Sequence, residues 1–169
     1  MPNRFDRALL AVNRWALIAI LAAMAIMVFA NVSLRFTTDR SILWVEEASR
    51  YLMIWLTFLG MGPLLRYGGH LGIDTLQSAL PQHAAAIRAA IVVLLAAFFV
   101  VMLWLSLRYS MLTWAQTTPI MQIPIGAVYL AMPIGFALML AHLTLMTAAY
   151  VRRAAHLVDA EFDADAAKL

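Results

Sequence analysis

The sequence predicts an all-α integral membrane protein with four transmembrane helices. Hydrophobic residues make up 64% of the 169 residues and charged residues only 12%, about half of the roughly 25% that soluble proteins carry. Charges are absent from four long runs, at 15–34, 51–65, 89–107 and 109–151. These runs do not alternate between apolar and polar residues, as the strands of a membrane β-barrel do.

The four runs set approximate helix boundaries, because a helix needs about 20 apolar residues to cross the hydrocarbon core. The first and third runs are long enough as they stand, and the second becomes so when the apolar residues 42–45 are added. The fourth is too long for one helix, and its polar first part is predicted to end helix three and form a loop. The predicted helices cover about 13–35, 42–66, 86–110 and 124–151.

The segment ahead of the first helix, 1–14, carries Arg4, Arg7 and Arg14 beside apolar side chains. This pattern fits a short amphipathic helix at the membrane interface and an extension of helix one equally well. A cleaved signal peptide ending at Ala30 is a third interpretation, but the apolar run is long for such a signal. We therefore keep helix one in the predicted topology.

Four spans place both termini on the same side of the membrane. Of the 12 cationic residues, eight lie in the terminal segments and the middle connection, and four lie in the other two connections. The positive-inside rule then places both termini of this multi-pass membrane protein in the cytoplasm. Residues 1–155 are predicted to form one four-helix domain, and the acidic tail 156–169 is predicted to be disordered.

The middle connection is predicted to hold a second short interfacial helix, at about 74–80, between glycines and Pro81. His70 lies four residues before Asp74, so the two side chains can pair if that turn is helical. They are candidates for a residue pair that fixes a cytoplasmic turn.

Several classes of function are excluded by composition and motifs. The chain has no cysteine, which excludes disulfides, zinc–thiolate sites and thiol catalysis. It has no recognisable catalytic or nucleotide-binding motif, and its scattered cations do not indicate nucleic acid. Only His142 of the four histidines lies inside a predicted span, so a matched pair of haem ligands is absent. We predict no enzyme activity, cofactor or metal.

Polar residues at the ends of the spans are the remaining candidates for function. Arg50 follows Glu46 by four residues and Glu47 by three, so it can pair with either on one helix face. An arginine this far into a span must pair, reach the membrane surface or contact another protein. Asn31, near the end of helix one, can hydrogen-bond to another helix.

Two prolines interrupt predicted spans. Pro63 and Pro133 are predicted to kink helices two and four, because proline removes a helical hydrogen bond.

Several fragments, in this order along the chain, resemble one known family. They are an Asn-Val-Ser-Leu-Arg-Phe run at 31–36, the segment 44–51 with its glutamate pair and arginine, a Trp-Leu-Thr-Phe-Leu-Gly run at 55–60, His70 with Asp74, and the segment 129–135. Together they resemble the DctQ-like small permease subunit of tripartite ATP-independent periplasmic (TRAP) transporters, over nearly the whole chain. Pro63 departs from the family pattern, which has small or aliphatic residues there.

This resemblance implies a non-catalytic subunit of a secondary transporter. Such a subunit scaffolds a large multi-helix permease subunit and helps a periplasmic substrate-binding protein dock, for sodium-driven uptake of an organic acid. Two alternatives stay open, a haem- or quinone-binding membrane anchor and an autonomous small transporter. The candidate interface with the large subunit or with membrane lipids comprises Asn31, Arg35, Trp44, Glu46, Glu47, Arg50 and Trp55.

Overall fold

A computed structural model describes residues 4–66 and 83–152 of the chain. These residues form five helices, namely α1 (Arg4–Thr38), α2 (Leu43–Arg66), α3 (Ala84–Leu112), α4 (Ile125–Tyr129) and α5 (Ala131–Arg152). Within these two ranges the only extended pairing is an isolated bridge between Thr117 and Pro124, so the prediction of an all-α protein is confirmed. The predictions for His70 and Asp74, the interfacial helix at 74–80 and the tail 156–169 lie outside the described residues.

The first helix is longer than its predicted span of 13–35. It runs unbroken over 35 residues, because this stretch contains neither glycine nor proline. Residues 4–14 therefore extend α1, and the alternative of a separate interfacial helix in this segment is wrong. The helix closes at Asp39, whose φ of 54° is left-handed and whose N–H donates to the carbonyl of Arg35 at 3.1 Å, a common helix ending.

Three of the described helices are long and apolar enough to cross a membrane, at Arg7–Thr38, Ala85–Leu112 and Ile125–Thr147. α2 has 24 residues, which is sufficient length. It falls outside this set; three charged residues lie in its first two turns, and its later part holds two glycines and a proline. Length and composition thus support three of the four predicted spans.

The predicted fourth helix, at 124–151, is two helices in the structure. α4 and α5 are separated at Leu130, although together they make up the candidate span Ile125–Thr147. Pro133 has no amide hydrogen for the carbonyl of Tyr129, four residues before it, which weakens the helix at this point. The two helices follow each other directly, because Leu130 has helical dihedral angles and its carbonyl accepts the N–H of Ile134 at 3.2 Å.

The centre of the bundle is α5, which packs against both α2 and α3. The core contains Leu65, Phe99, Met139 and Leu143. Phe99 continues into an aromatic cluster with Phe58, Phe98 and Phe136, whose neighbouring ring centroids lie 5.8 to 6.5 Å apart. These side chains come from α2, α3 and α5, so the three helices share one apolar core.

α1 has a different position, because its main packing partner is α2. The most apolar 18-residue stretch of α1 contains no buried residue. Most of the α1 surface therefore faces outward, toward lipid or another protein.

Candidate interface at the turn end of the bundle

The α1–α2 turn and the loop 113–124 between α3 and α4 lie at the same end of the bundle, which we call the turn end. The two are joined through Glu47 of α2, whose side chain is only 1% exposed. Its Oε1 accepts a hydrogen bond from the hydroxyl of Tyr51 at 2.7 Å. Its Oε2 accepts the backbone N–H groups of Ile120 and Met121 at 2.9 and 3.0 Å. One buried carboxylate thus fixes the loop against α2.

The loop 113–124 also closes on itself. The fully buried Thr118 donates its N–H to the carbonyl of Ile123 at 2.9 Å, and its hydroxyl accepts the N–H of Ile123 at 3.3 Å. The N–H of Ile125 donates to the carbonyl of Gln116 at 2.8 Å. Gln122, at the tip, adopts a left-handed φ of 55°. The loop is therefore a hydrogen-bonded hairpin rather than an open connection.

The ends of this loop are held together by close packing of α3 against α4. The Ser110 hydroxyl donates to the carbonyl of Gly126 at 2.7 Å. A Cβ atom on Gly126 would lie 2.8 Å from the Trp114 ring and still nearer the carbonyl oxygen of Ser110. Only glycine fits this approach without a shift of the backbone.

Asn31 performs a similar task at the α1–α2 turn. Its Oδ1 accepts the N–H of Ile42 at 2.7 Å, just before α2 begins. This bond satisfies one of the amide groups that a helix start leaves without a helical partner. The Asn31 side chain of α1 thereby fixes the position at which α2 starts.

The spacing predicted that Arg50 can pair with Glu46 or Glu47 on one helix face, and the structure separates Glu47 from the other two. Both oxygens of Glu47 are bonded by Tyr51 and the loop amides. Glu46 and Arg50 are exposed. They line a cleft of about 370 Å³ between α1 and α2 together with Asn31 and Arg35. We call it the α1–α2 cleft, and it contains four of the seven predicted interface residues.

Two more predicted residues, Trp44 and Trp55, line a second concavity of about 350 Å³. It lies on another face of α2 and is bounded by the loop and α4. Its other lining residues are predominantly apolar and include Ala48, Met121 and Val128. We call it the apolar groove. Six of the seven predicted residues therefore line one of two concavities on different faces of α2, and the seventh, Glu47, is buried.

A further polar group lies in the opposite half of the bundle and was missed by sequence reasoning. Asn13 of α1 is 4% exposed, and its Nδ2 donates to the carbonyl of Leu59 in α2 at 3.0 Å. This carbonyl would normally accept the N–H of residue 63, which is a proline without one. Asn13 thus supplies the hydrogen bond that Pro63 cannot, and α2 continues through Pro63 without a break.

His142 lies beside this group and is fully buried. A Cβ on Gly62 would approach its Cδ2 to 2.6 Å and the Nδ2 of Asn13 to 3.5 Å. The absence of a side chain at Gly62 therefore lets α1, α2 and α5 meet here. Asn13 was missed because it lies among the arginines of the first 14 residues, where a polar side chain is expected to be exposed.

Comparisons with a family model and with individual proteins lead to the same kind of transporter. Residues 24–154 match the family described as tripartite ATP-independent periplasmic transporters, DctQ component. A protein of Haemophilus influenzae that carries the name of a TRAP transporter small permease is 35% identical over 118 residues, covering 68% of this chain and 71% of that protein.

Two further relatives are similar over part of their own length. The isethionate TRAP transporter permease protein DctMQ of Oleidesulfovibrio alaskensis is 28% identical over 155 residues, which cover 90% of this chain and 24% of that protein. The ectoine TRAP transporter small permease protein TeaB of Halomonas elongata is 29% identical over 119 residues, which cover 67% of this chain and 60% of that protein. The chain thus spans less than two thirds of both.

Proposed function

This chain belongs to the DctQ component family of TRAP transporters, and on that premise we propose that it is the small membrane subunit of such a transporter. The family predicted from the sequence is confirmed. We further propose that the subunit lies in the bacterial inner membrane, binds a large permease subunit, and helps a periplasmic substrate-binding protein to dock. The similarity to only 24% of a longer permease protein supports pairing with a larger membrane component.

The proposed substrate is an organic acid that is taken up with sodium. The names of relatives refer to isethionate and to C4-dicarboxylates, which are organic anions. Another relative is named for ectoine, so these names support a small charged solute as a class. We assign the substrate site to the partners, since this chain carries no acidic residue at the centre of a span for coupling an ion.

We propose that α2 is the fourth membrane span and that both termini are cytoplasmic. Its 24 residues give a length of about 36 Å at 1.5 Å per residue, more than the hydrocarbon core of about 30 Å. It packs between α1 and α5, and three of its four charged residues lie in its first two turns, near the turn end. The excess of cations at the other end supports a periplasmic turn end.

Cysteine labelling tests this topology directly, because the chain has no native cysteine. Gln122→Cys at the turn end and His83→Cys at the opposite end both replace exposed residues. In intact cells a membrane-impermeant maleimide should label the Gln122→Cys protein, and the His83→Cys protein only after permeabilisation. The reverse pattern would overturn the orientation.

The observation that carries the scaffold proposal is the apolar groove beside a fixed loop. Trp44 is 44% exposed at its rim, and tryptophans in concave, preformed sites often dominate the binding energy of an interface. The loop wall of the groove is held by Glu47, so little ordering is needed on binding. We place the contact with the large subunit here.

Co-purification of the large subunit with the tagged full chain tests this contact. The Trp44→Ala/Trp55→Ala double variant should retain about tenfold less large subunit, the size of effect expected for interface tryptophans. The matched control is Trp104→Ala, since Trp104 is also exposed but lies on α3 outside the groove. Equal retention by both variants would exclude the groove as the contact.

We place docking of the binding protein on the outward surface of the loop 113–124. Trp114 and Ile120 are 50% and 46% exposed there, on a hairpin that is hydrogen-bonded to Glu47 of α2.

We also propose that His70 and Asp74 shape the cytoplasmic connection, and that Pro63 and Pro133 bend the helices that carry them.

A further inference from the structure

The α1–α2 cleft combines charges of both signs with unused hydrogen-bond donors. Its polar lining consists of Asn31, Arg35, Ser41, Glu46, Ser49 and Arg50. Two guanidinium groups and one carboxylate therefore face one cleft of about 370 Å³. We propose that this cleft binds the headgroup of a phosphatidylethanolamine-type glycerophospholipid, with its phosphate against the arginines and its ammonium group against Glu46.

The phosphate half of the site is built from donors. Arg35 and Arg50 are both exposed, and guanidinium groups bind phosphate oxygens through paired hydrogen bonds. The hydroxyl oxygen of Ser49 is buried and has no hydrogen-bond partner among the described residues, although buried hydroxyls are normally bonded. Because the oxygen of Asn31 is bonded to Ile42, Asn31 offers its NH₂ group to a ligand.

The carboxylate of Glu46 selects the class of lipid. An anionic ligand such as inorganic phosphate or a phosphatidylglycerol headgroup can bind the two arginines, but it has no cationic group to donate a hydrogen bond to Glu46. An ethanolamine headgroup instead supplies an ammonium group that can donate to the carboxylate. A choline headgroup carries the same charge but has no N–H to donate.

The apolar part of the cleft distinguishes a lipid from a soluble ligand. Val28, Val32 and Val45 also line it, and Val28 and Val32 are 45% and 46% exposed. Both lie toward the middle of α1, which is the direction an acyl chain takes from the headgroup layer. Burial of apolar surface contributes roughly 25 cal/mol per Å², which only a ligand with hydrocarbon chains can use.

The position of the cleft agrees with headgroup depth. Arg35 lies three residues before the end of α1, and Glu46 lies in the first turn of α2. α1 is one of the candidate spans, so its end reaches the interface where phosphates lie. The proposal rests on this membrane position and not on the identity of the transporter partner.

The test uses the purified, delipidated full chain, native mass spectrometry and defined lipids. The wild-type chain should retain phosphatidylethanolamine about tenfold better than phosphatidylcholine or phosphatidylglycerol, the effect of one charge-assisted hydrogen bond. Glu46→Gln should remove this preference. Arg35→Gln/Arg50→Gln should lower retention of all three lipids about tenfold or more.

Arg108→Gln is the matched control, because Arg108 is exposed near the same end on α3 and lies over Trp104, outside the cleft. Equal retention by this control and the double variant would overturn the proposal. So would displacement of the lipid by an equal concentration of soluble glycerophosphoethanolamine, which would show a headgroup site without a lipid preference.

A second variant keeps the test decisive if the double arginine variant is unstable. Ser49→Ala removes one donor and should lower retention about threefold, the effect of a neutral hydrogen bond; unchanged retention would argue against the phosphate site. Co-purification of the large subunit, measured on the same variants, should stay unchanged. The lipid site and the scaffold function can therefore fail separately.

Discussion

The network around Glu47 and the loop at the turn end differs from the Asn13 group in the opposite half in how completely its buried polar atoms are hydrogen-bonded. At the turn end, both oxygens of Glu47 accept hydrogen bonds, and Ser110 and Thr118 are each bonded across the loop. In the opposite half, Asn13 donates to Leu59, but its Oδ1 is buried without a partner within residues 4–66 and 83–152.

This difference indicates different tasks for the two regions. A fully bonded polar network fixes one arrangement of the backbone, which suits a surface that another protein must recognise. An unsatisfied buried acceptor costs about 1–3 kcal/mol, so Asn13 needs a compensating benefit. The benefit is the bond to the Leu59 carbonyl, which Pro63 leaves without a helical donor.

The largest effect is expected from Glu47→Ala, which would break the turn end. The substitution removes the acceptor for the amides of Ile120 and Met121 and for the Tyr51 hydroxyl. Hydrogen exchange of the two loop amides, measured in nanodiscs, should become about a hundredfold faster, because bonds to a charged acceptor are among the stronger ones.

Glu46→Ala is the matched control for this experiment, because it removes the neighbouring, exposed carboxylate. Exchange of the Ile120 and Met121 amides should then stay close to wild type. If the two variants exchange alike, Glu47 does not fix the loop, and the contrast between the two regions is lost.

The second effect tests the opposite half through Asn13→Ala. The Leu59 carbonyl then has neither the Asn13 amide nor a proline N–H as donor, and the equilibrium constant for unfolding should rise about tenfold. Pro63→Ala restores the helical N–H, so the change should fall below about threefold in the Pro63→Ala background. Unfolding in mixed micelles of all four proteins forms a double-mutant cycle. Additive effects would show that Asn13 does not compensate for Pro63.

Sequence reasoning reached the features that depend on local pattern. Apolar runs of sufficient length predicted the helices, and fragments such as 44–51 predicted the family. It missed the partners of Glu47, because the Ile120 and Met121 amides lie 73 and 74 residues away. These partners are backbone N–H groups, and the sequence does not indicate which backbone groups donate to a side chain. It therefore offered Glu47, as well as Glu46, as a partner for the nearby Arg50, although the Tyr51 hydroxyl and the two loop amides already bond the Glu47 carboxylate.

Pro63 and Pro133 show the same limit. Both were predicted to kink a helix on the same local ground, the missing N–H. At Pro63 the outcome depends on a distant residue, because Asn13 bonds the Leu59 carbonyl from 46 positions away. α2 therefore stays unbroken there. Near Pro133 the helix is divided at Leu130. A local rule identified where the helical bond is lost, and the tertiary structure determined the result.

The smallest effect is expected from Asn31→Ala, which compares the Asn31 bond with the Glu47 bonds within the turn end. The substitution removes one bond, from the N–H of Ile42 to the Asn31 oxygen, at a turn that is only partly buried. Water can replace part of it, so exchange of the Ile42 amide should quicken about threefold, far less than that of the loop amides in Glu47→Ala. Asn31→Asp keeps an acceptor oxygen and should leave this exchange near wild type. An Ile42 amide that responds as strongly as the loop amides would mean that solvent access, rather than the charge and burial of the acceptor, sets the rigidity of the turn end.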